Sequence, residues 1–141
     1  MKITRTKLLV AILVTICLAN VSAALGQTDS SIESFWAKFR AAVMKSDKEA
    51  VATMVQLPIA MSYGVPAIRT KAQLFKRYRD LFNRQTDAVK CFAEARPEPD
   101  AARKDRFSVA CKDAAGNETV IYGFVRTRGI WKLKSLDNIN E

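Results

Sequence analysis

A chain of 141 residues with 23 Lys and Arg against 14 Asp and Glu, a formal net charge of +9, suits one domain around one core rather than several. The hydrophobic share is 49% and there is no histidine, which excludes Ser-His-Asp and Cys-His nucleophilic systems of the usual kind and histidine-centred metal sites. The glycines are scattered and none opens a Gly-Lys-Ser/Thr sequence, so no phosphate-binding loop is present.

Lys2, Arg5 and Lys7 precede an apolar run from Leu8 to Ala19, and small residues follow. Val21-Ser22-Ala23 and Ala24-Leu25-Gly26 each fit a cleavage site, completing the layout of a secretory signal peptide. Residues 1–26 are therefore expected to be removed, after Ala23 or Gly26, leaving 27–141 as one periplasmic or secreted domain. The apolar run is too short to span a hydrocarbon core, so no transmembrane anchor is expected. Cleavage takes three bases and no acids and leaves 20 bases against 14 acids, a charge of +6. Such a basic excess either serves solubility alone or favours anionic partners: headgroups, cell-wall polymers or an acidic protein.

Cys17 leaves with the signal; bulky Ile16 before it is a poor match to lipoprotein processing. Cys91 and Cys111 remain, in a compartment that permits disulfides. A bridge would close a loop of about 21 residues and stabilise the fold by about 3 kcal/mol in the chain-entropy picture. Two reduced thiols and a metal pair are the alternatives. Two isolated sulfurs do not complete a tetrahedral site, and the disulfide is the favoured reading.

Downstream, Ser30-Ser31-Ile32-Glu33 reads as a capping box, and Ile32, Phe35, Trp36, Phe39 and Val43 recur at steps of three and four. The spacing predicts an amphipathic helix over roughly residues 31–45. A second box, Ser46-Asp47-Lys48-Glu49, opens a shorter helix with Ala50, Val51, Met54 and Val55 as its stripe, stopped by Pro58. Ile59–Ser62 and Pro66–Arg69 flank Tyr63-Gly64-Val65 as a short hairpin with Pro66 on an edge arm. Thr70-Lys71-Ala72-Gln73 caps a third helix carrying Leu74, Phe75, Tyr78, Leu81 and Phe82. Thr86 is expected to cap one more turn through Val89 and Phe92, before an Arg96–Asp100 loop. From Arg106 the period becomes two: Phe107, Val109 and Cys111 share a face, Thr119–Arg126 is β-rich, and Trp131, Leu133 and Ser135 alternate with Lys132 and Lys134. Turns at Asp113–Asn117 and Arg128-Gly129 join these strands into an antiparallel meander. Helices first and sheet last argue for α+β.

Phe35-Trp36-Ala37-Lys38-Phe39-Arg40, Ser46-Asp47-Lys48-Glu49-Ala50-Val51, Leu57-Pro58-Ile59, Lys71 to Tyr78 and Gly129-Ile130-Trp131-Lys132-Leu133 together resemble the nuclear-transport-factor-2-like superfamily. That is a cystatin-like fold also found in ketosteroid isomerases and polyketide cyclases, and the chain is similar in particular to small exported bacterial members of no assigned role. The resemblance implies N-terminal helices packed in the concavity of a curved antiparallel sheet, a cone-shaped pocket, and pairing of sheets into a homodimer. It bears on fold more than on function, because enzymes, ligand binders and interaction modules share this architecture.

If the cone is open, Trp36, Phe39, Tyr63, Phe75, Tyr78, Tyr122 and Trp131 are its candidate lining; the competing reading makes Trp36, Phe39, Phe75, Phe82 and Trp131 core. Isomerase or cyclase chemistry needs a carboxylate base beside a hydrogen-bond donor in an apolar pocket. The nearest candidates are Tyr63, Tyr78, Asp80 and Tyr122, but Asp80 falls on the charged helix face and the family's catalytic acids find no clear match. No catalytic residue, metal ligand or cofactor is assigned. Arg69, Lys71, Lys76, Arg77, Arg79 and Arg84, opposed only by Asp80, form a cationic strip that is either a solvated helix face or a docking surface for an acidic partner or membrane headgroups. Nucleic acid is not an expected partner. The sequence thus points to an exported noncatalytic binding or interaction domain for a small apolar ligand or a protein. A pocket enzyme and a cationic docking module are the alternatives.

Overall fold

The computed structural model describes residues 31–61 and 65–138; the expected signal segment, Ser30 and Tyr63 lie outside them. Helix α1 (Ile32–Met44) starts on Ser31, whose hydroxyl accepts from Ser34 N–H, one position beyond the expected Ser30–Glu33 box. Its inward stripe is Trp36, Phe39, Ala42 and Val43. Ser46 adopts φ 54°, and Ser46 and Asp47 donate backbone N–H to Val43 and Ala42 carbonyls, ending α1 in a Schellman turn. Asp47 then caps α2 (Lys48–Thr53) by accepting from Ala50 N–H, so the second box is also displaced by one residue.

Helix α2 stops at Thr53, and Val55, assigned above to the helix, opens strand β1 (Val55–Met61) with Pro58 inside it. Strand β1 runs parallel to the last strand, so the sheet is mixed rather than wholly antiparallel. The expected hairpin contracts to one antiparallel pair, Ile59 and Ile68, which exchange backbone bonds of 2.8 and 3.0 Å. Thr70 caps α3 (Lys71–Lys76) as expected: it accepts from Gln73 N–H, while Gln73 Oε1 accepts from Arg69 N–H. Beyond α3 the chain widens into a π-turn at Asp80–Arg84, where Gln85 N–H reaches Asp80 O. Asp87, not Thr86, caps α4 (Ala88–Glu94).

The remaining strands are β2 (Glu98–Pro99), β3 (Arg106–Lys112), β4 (Thr119–Thr127) and β5 (Ile130–Asn138), and the sheet order is β1-β5-β4-β3-β2. Arg128 and Gly129, both at positive φ, make the two-residue turn that matches the twist of β4 and β5. Gly123 pairs with Ser135 but Phe124 with Leu133, so Lys134 is an extra, bulged residue. The bulge corrects the expected alternation: Ser135 turns outward and Leu136 takes the inward place behind Leu133. Inward side chains of β3, β4 and β5 meet α1, the π-turn and α4 in one core. No helix among the described residues is long and apolar enough to cross a membrane.

Candidate functional site

The space between helices and sheet, where a cone would open, holds rings. Phe39 lies 5.1 Å from Phe124 and 6.2 Å from both Trp36 and Phe82, while Phe92 lies 4.8 Å from Trp36 and 5.0 Å from Tyr122 (centroid distances). Edge contacts dominate, as the positive rim and negative face of each ring favour. Of the seven candidate lining residues, Trp36, Phe39, Tyr78, Tyr122 and Trp131 are buried in this core. Phe75 is half-buried against it and Tyr63 lies outside the described residues. Phe92, Phe107 and Phe124, absent from that set, complete the cluster. Their signal was the alternation of the strands and the stripe of the short fourth helix.

Two tyrosines carry polar atoms into this interior. The π-turn releases the Leu81 carbonyl from helical bonding, and Tyr122 on β4 donates to it at 2.7 Å. A phenol has one hydrogen and a carbonyl can only accept, so the 2.6 Å contact with Thr86 must be Thr86 Oγ1 donating to the Tyr122 oxygen. Thr86 is the one buried polar or charged residue among those described, apart from the tyrosines and tryptophans counted with the core. Burial pushes the Tyr122 phenol above its ordinary value; the Thr86 hydrogen bond pulls it partly back and Tyr78 adds to the rise. Tyr78 is also buried, yet its hydroxyl has no hydrogen-bond partner within the described residues, and the same holds for Trp36 Nε1. Burial first, and the Asp47 carboxylate second, push Tyr78 up to about 12.

No carboxylate among the described residues is buried. Asp80 sits outside the core between Arg77 Nε (3.5 Å) and Arg84 Nη1 (3.3 Å). Asp47, the carboxylate felt by Tyr78, is exposed and occupied in capping α2. The described residues therefore contain no base held beside a donor in an apolar pocket. Among them there is also no cluster of three or more Cys, Asp or Glu side chains able to hold a metal.

The cationic strip is partly neutralised. Arg77 and Arg84 share Asp80, Arg77 Nη1 donates to Pro66 O, and Lys71 meets Glu49 at 2.5 Å. Arg69, Lys76 and Arg79 are exposed and form no ion pair with another described residue. Lys48, missed in the sequence, extends the strip: its ammonium lies over the Tyr78 ring and donates to Phe75 O.

Two surface depressions lie elsewhere. On the outer face of the sheet, Ser108, Gly123 and Ser135 stand in register across β3, β4 and β5 and floor a groove of about 580 Å3. A Cβ at Gly123 would meet Ser135 Oγ at 2.4 Å, so any larger residue there requires the Ser135 hydroxyl to turn away. A cleft of about 620 Å3 borders the Cys91–Cys111 disulfide, which ties α4 to β3 with Cα atoms 5.8 Å apart.

No family model matches the chain, and no curated protein matches it. Among solved structures it is similar to a chain described as "Rd1NTF2_04 with long sheet", at 20% identity and a TM-score of 0.46, covering 77% of this chain and 99% of that one.

Proposed function

We propose that this chain is an exported, noncatalytic interaction domain that meets its partner with its surface rather than enclosing a ligand. The observation that supports this reading is the packing of Trp36, Phe39, Phe82, Phe92, Tyr122 and Phe124 across the space a cone would leave. A ligand chamber needs a concave apolar space with a few convergent polar groups. Here Tyr122 is occupied with Leu81 and Thr86, and the described carboxylates stay outside the core. Export rests on the signal layout of residues 1–26 and fits the disulfide. Native mass spectrometry of the exported chain tests it: the bare mass is expected, and a stoichiometric apolar adduct that survives purification overturns it.

One observation favours a particular surface. Arg69, Lys76 and Arg79 project from the α3 and π-turn region without ion-pair partners among the described residues, and such bases attract acidic surfaces at long range. An acidic protein is the matching partner. Lys76→Glu with Arg79→Glu is expected to weaken salt-sensitive capture of an acidic protein at least about tenfold, while Lys104→Glu leaves it unchanged. Equal capture by both variants removes this surface from consideration, and binding only to vesicles of anionic lipid reassigns it to headgroups.

A further inference from the structure

The two cysteines of the disulfide differ in burial. Both border the 620 Å3 cleft, but Cys111 on β3 is 3% exposed, whereas Cys91 on α4 is half-buried. Ala95, Ala110, Ala114, Ala115 and Gly116 supply much of the cleft wall. These residues put almost no side chain in the way of another molecule's main chain approaching the bridge. Of the three carboxylates at the rim, two are tied down, Asp87 in capping α4 and Asp113 in accepting from Asn117 and Glu118 N–H, while Glu94 is exposed. Lys90 and Lys112 also border the cleft.

We propose that Cys91 is the entry sulfur for thiol–disulfide exchange and Cys111 the resolving sulfur, with the cleft admitting an incoming cysteine disulfide. In the reduced chain the Cys91 thiolate attacks one sulfur of that disulfide. The incoming S–S bond breaks as the bond to Cys91 Sγ forms, and the first partner sulfur departs as a thiolate. Cys111 thiolate then attacks Cys91 Sγ and expels the second partner sulfur. The chain loses two electrons, the partner gains them, and the two thiol protons of the chain end on the two departing sulfurs. The reverse sequence, with an external thiol attacking Cys91 and Cys111 leaving, opens the bridge by the same door. Exchange follows access as well as thiolate chemistry, and Cys91 is the more exposed of the two residues.

The test uses the native oxidised protein with reduced glutathione as the probe, quenched early with N-ethylmaleimide and mapped by peptide mass spectrometry. Glutathione on Cys91 with maleimide on Cys111 is expected to exceed the converse at least about tenfold. In parallel, Cys111→Ser is expected to take up one glutathione from glutathione disulfide, and folded Cys91→Ser to take up none until denatured. Glutathione found mainly on Cys111, an even split, or no adduct before global unfolding overturns the assignment. If Cys91→Ser does not fold, the quenched experiment decides alone, because the bridge is intact when the thiol attacks.

Discussion

Two buried tyrosines pack on the same ring, Phe82, and are held in different ways on its two sides. On the β4 side, Tyr122 is clamped between the Leu81 carbonyl and the Thr86 hydroxyl, so its own hydroxyl both donates and accepts, each time with a distant part of the chain. On the α3 side, Tyr78 packs 4.8 Å from Phe82 under Lys48, yet its hydroxyl has no partner among the described residues. The first region shows a polar network specifying one arrangement of helix and sheet. The second shows ring packing tolerating an unsatisfied hydroxyl, because the rings contribute more than that one atom costs.

The largest effect is expected from removing a ring that joins the helices to the sheet. Phe39 touches rings of the helices and the sheet, and Phe39→Ala should cost about 3–5 kcal/mol in urea unfolding. A cost under about 1 kcal/mol would mean the rings are loosely packed. Tyr122→Phe comes next, at about 1–3 kcal/mol, because it strands the Leu81 carbonyl and the Thr86 hydroxyl together. Thr86→Val should cost less, since Tyr122 keeps its bond to Leu81. Equal costs for the two would show that the π-turn carbonyl does not depend on Tyr122.

Alkaline titration separates the regions by charge. Both phenols titrate above the ordinary value near pH 10, Tyr78 up to about 12, so the fold holds them neutral while the unfolded chain releases their protons. Above pH 10 the unfolded state therefore binds fewer protons, and stability must fall as pH rises. The contribution is complete below about pH 10 and lost towards pH 12, and Tyr78→Phe should flatten the slope over that window. An unchanged slope would place Tyr78 in water. The smallest effect belongs to Tyr78→Phe at neutral pH. With no bond to lose, it should lie between neutral and about 1 kcal/mol stabilising, and a clear loss of stability would reveal a partner for that hydroxyl.

Much of this could be read from residue order. Each described α-helix begins on a short polar side chain at or beside the expected position, and Phe107, Val109 and Cys111 alternate as a half-buried strand requires. Only the second half of β1 was legible, as the Ile59–Ser62 arm of the expected hairpin; its first half escaped because Val55 continues the helical stripe of Val51 and Met54, and a short apolar run cannot be assigned by period alone. The bulge at Lys134 escaped because Ser135 sits where alternation demands an inward residue; the three-residue step from Leu133 to Leu136 was the available sign. Thr86 looked like a cap because caps and buried hydrogen-bond donors use the same side chains, and only the tertiary position of Tyr122 tells them apart. The candidate lining residues were identified by size and face, but no sequence pattern says whether rings on opposing faces meet or leave a gap between them.

Uptake of a small apolar probe decides between those two states. Benzene added to the intact protein, followed by its thermal midpoint and by a binding isotherm, should produce no saturable shift in the wild type, whereas Phe39→Ala, if folded, should gain one from the space it opens. Saturable one-to-one binding of benzene to the wild type would contradict a filled interior and restore a ligand chamber beneath the sheet.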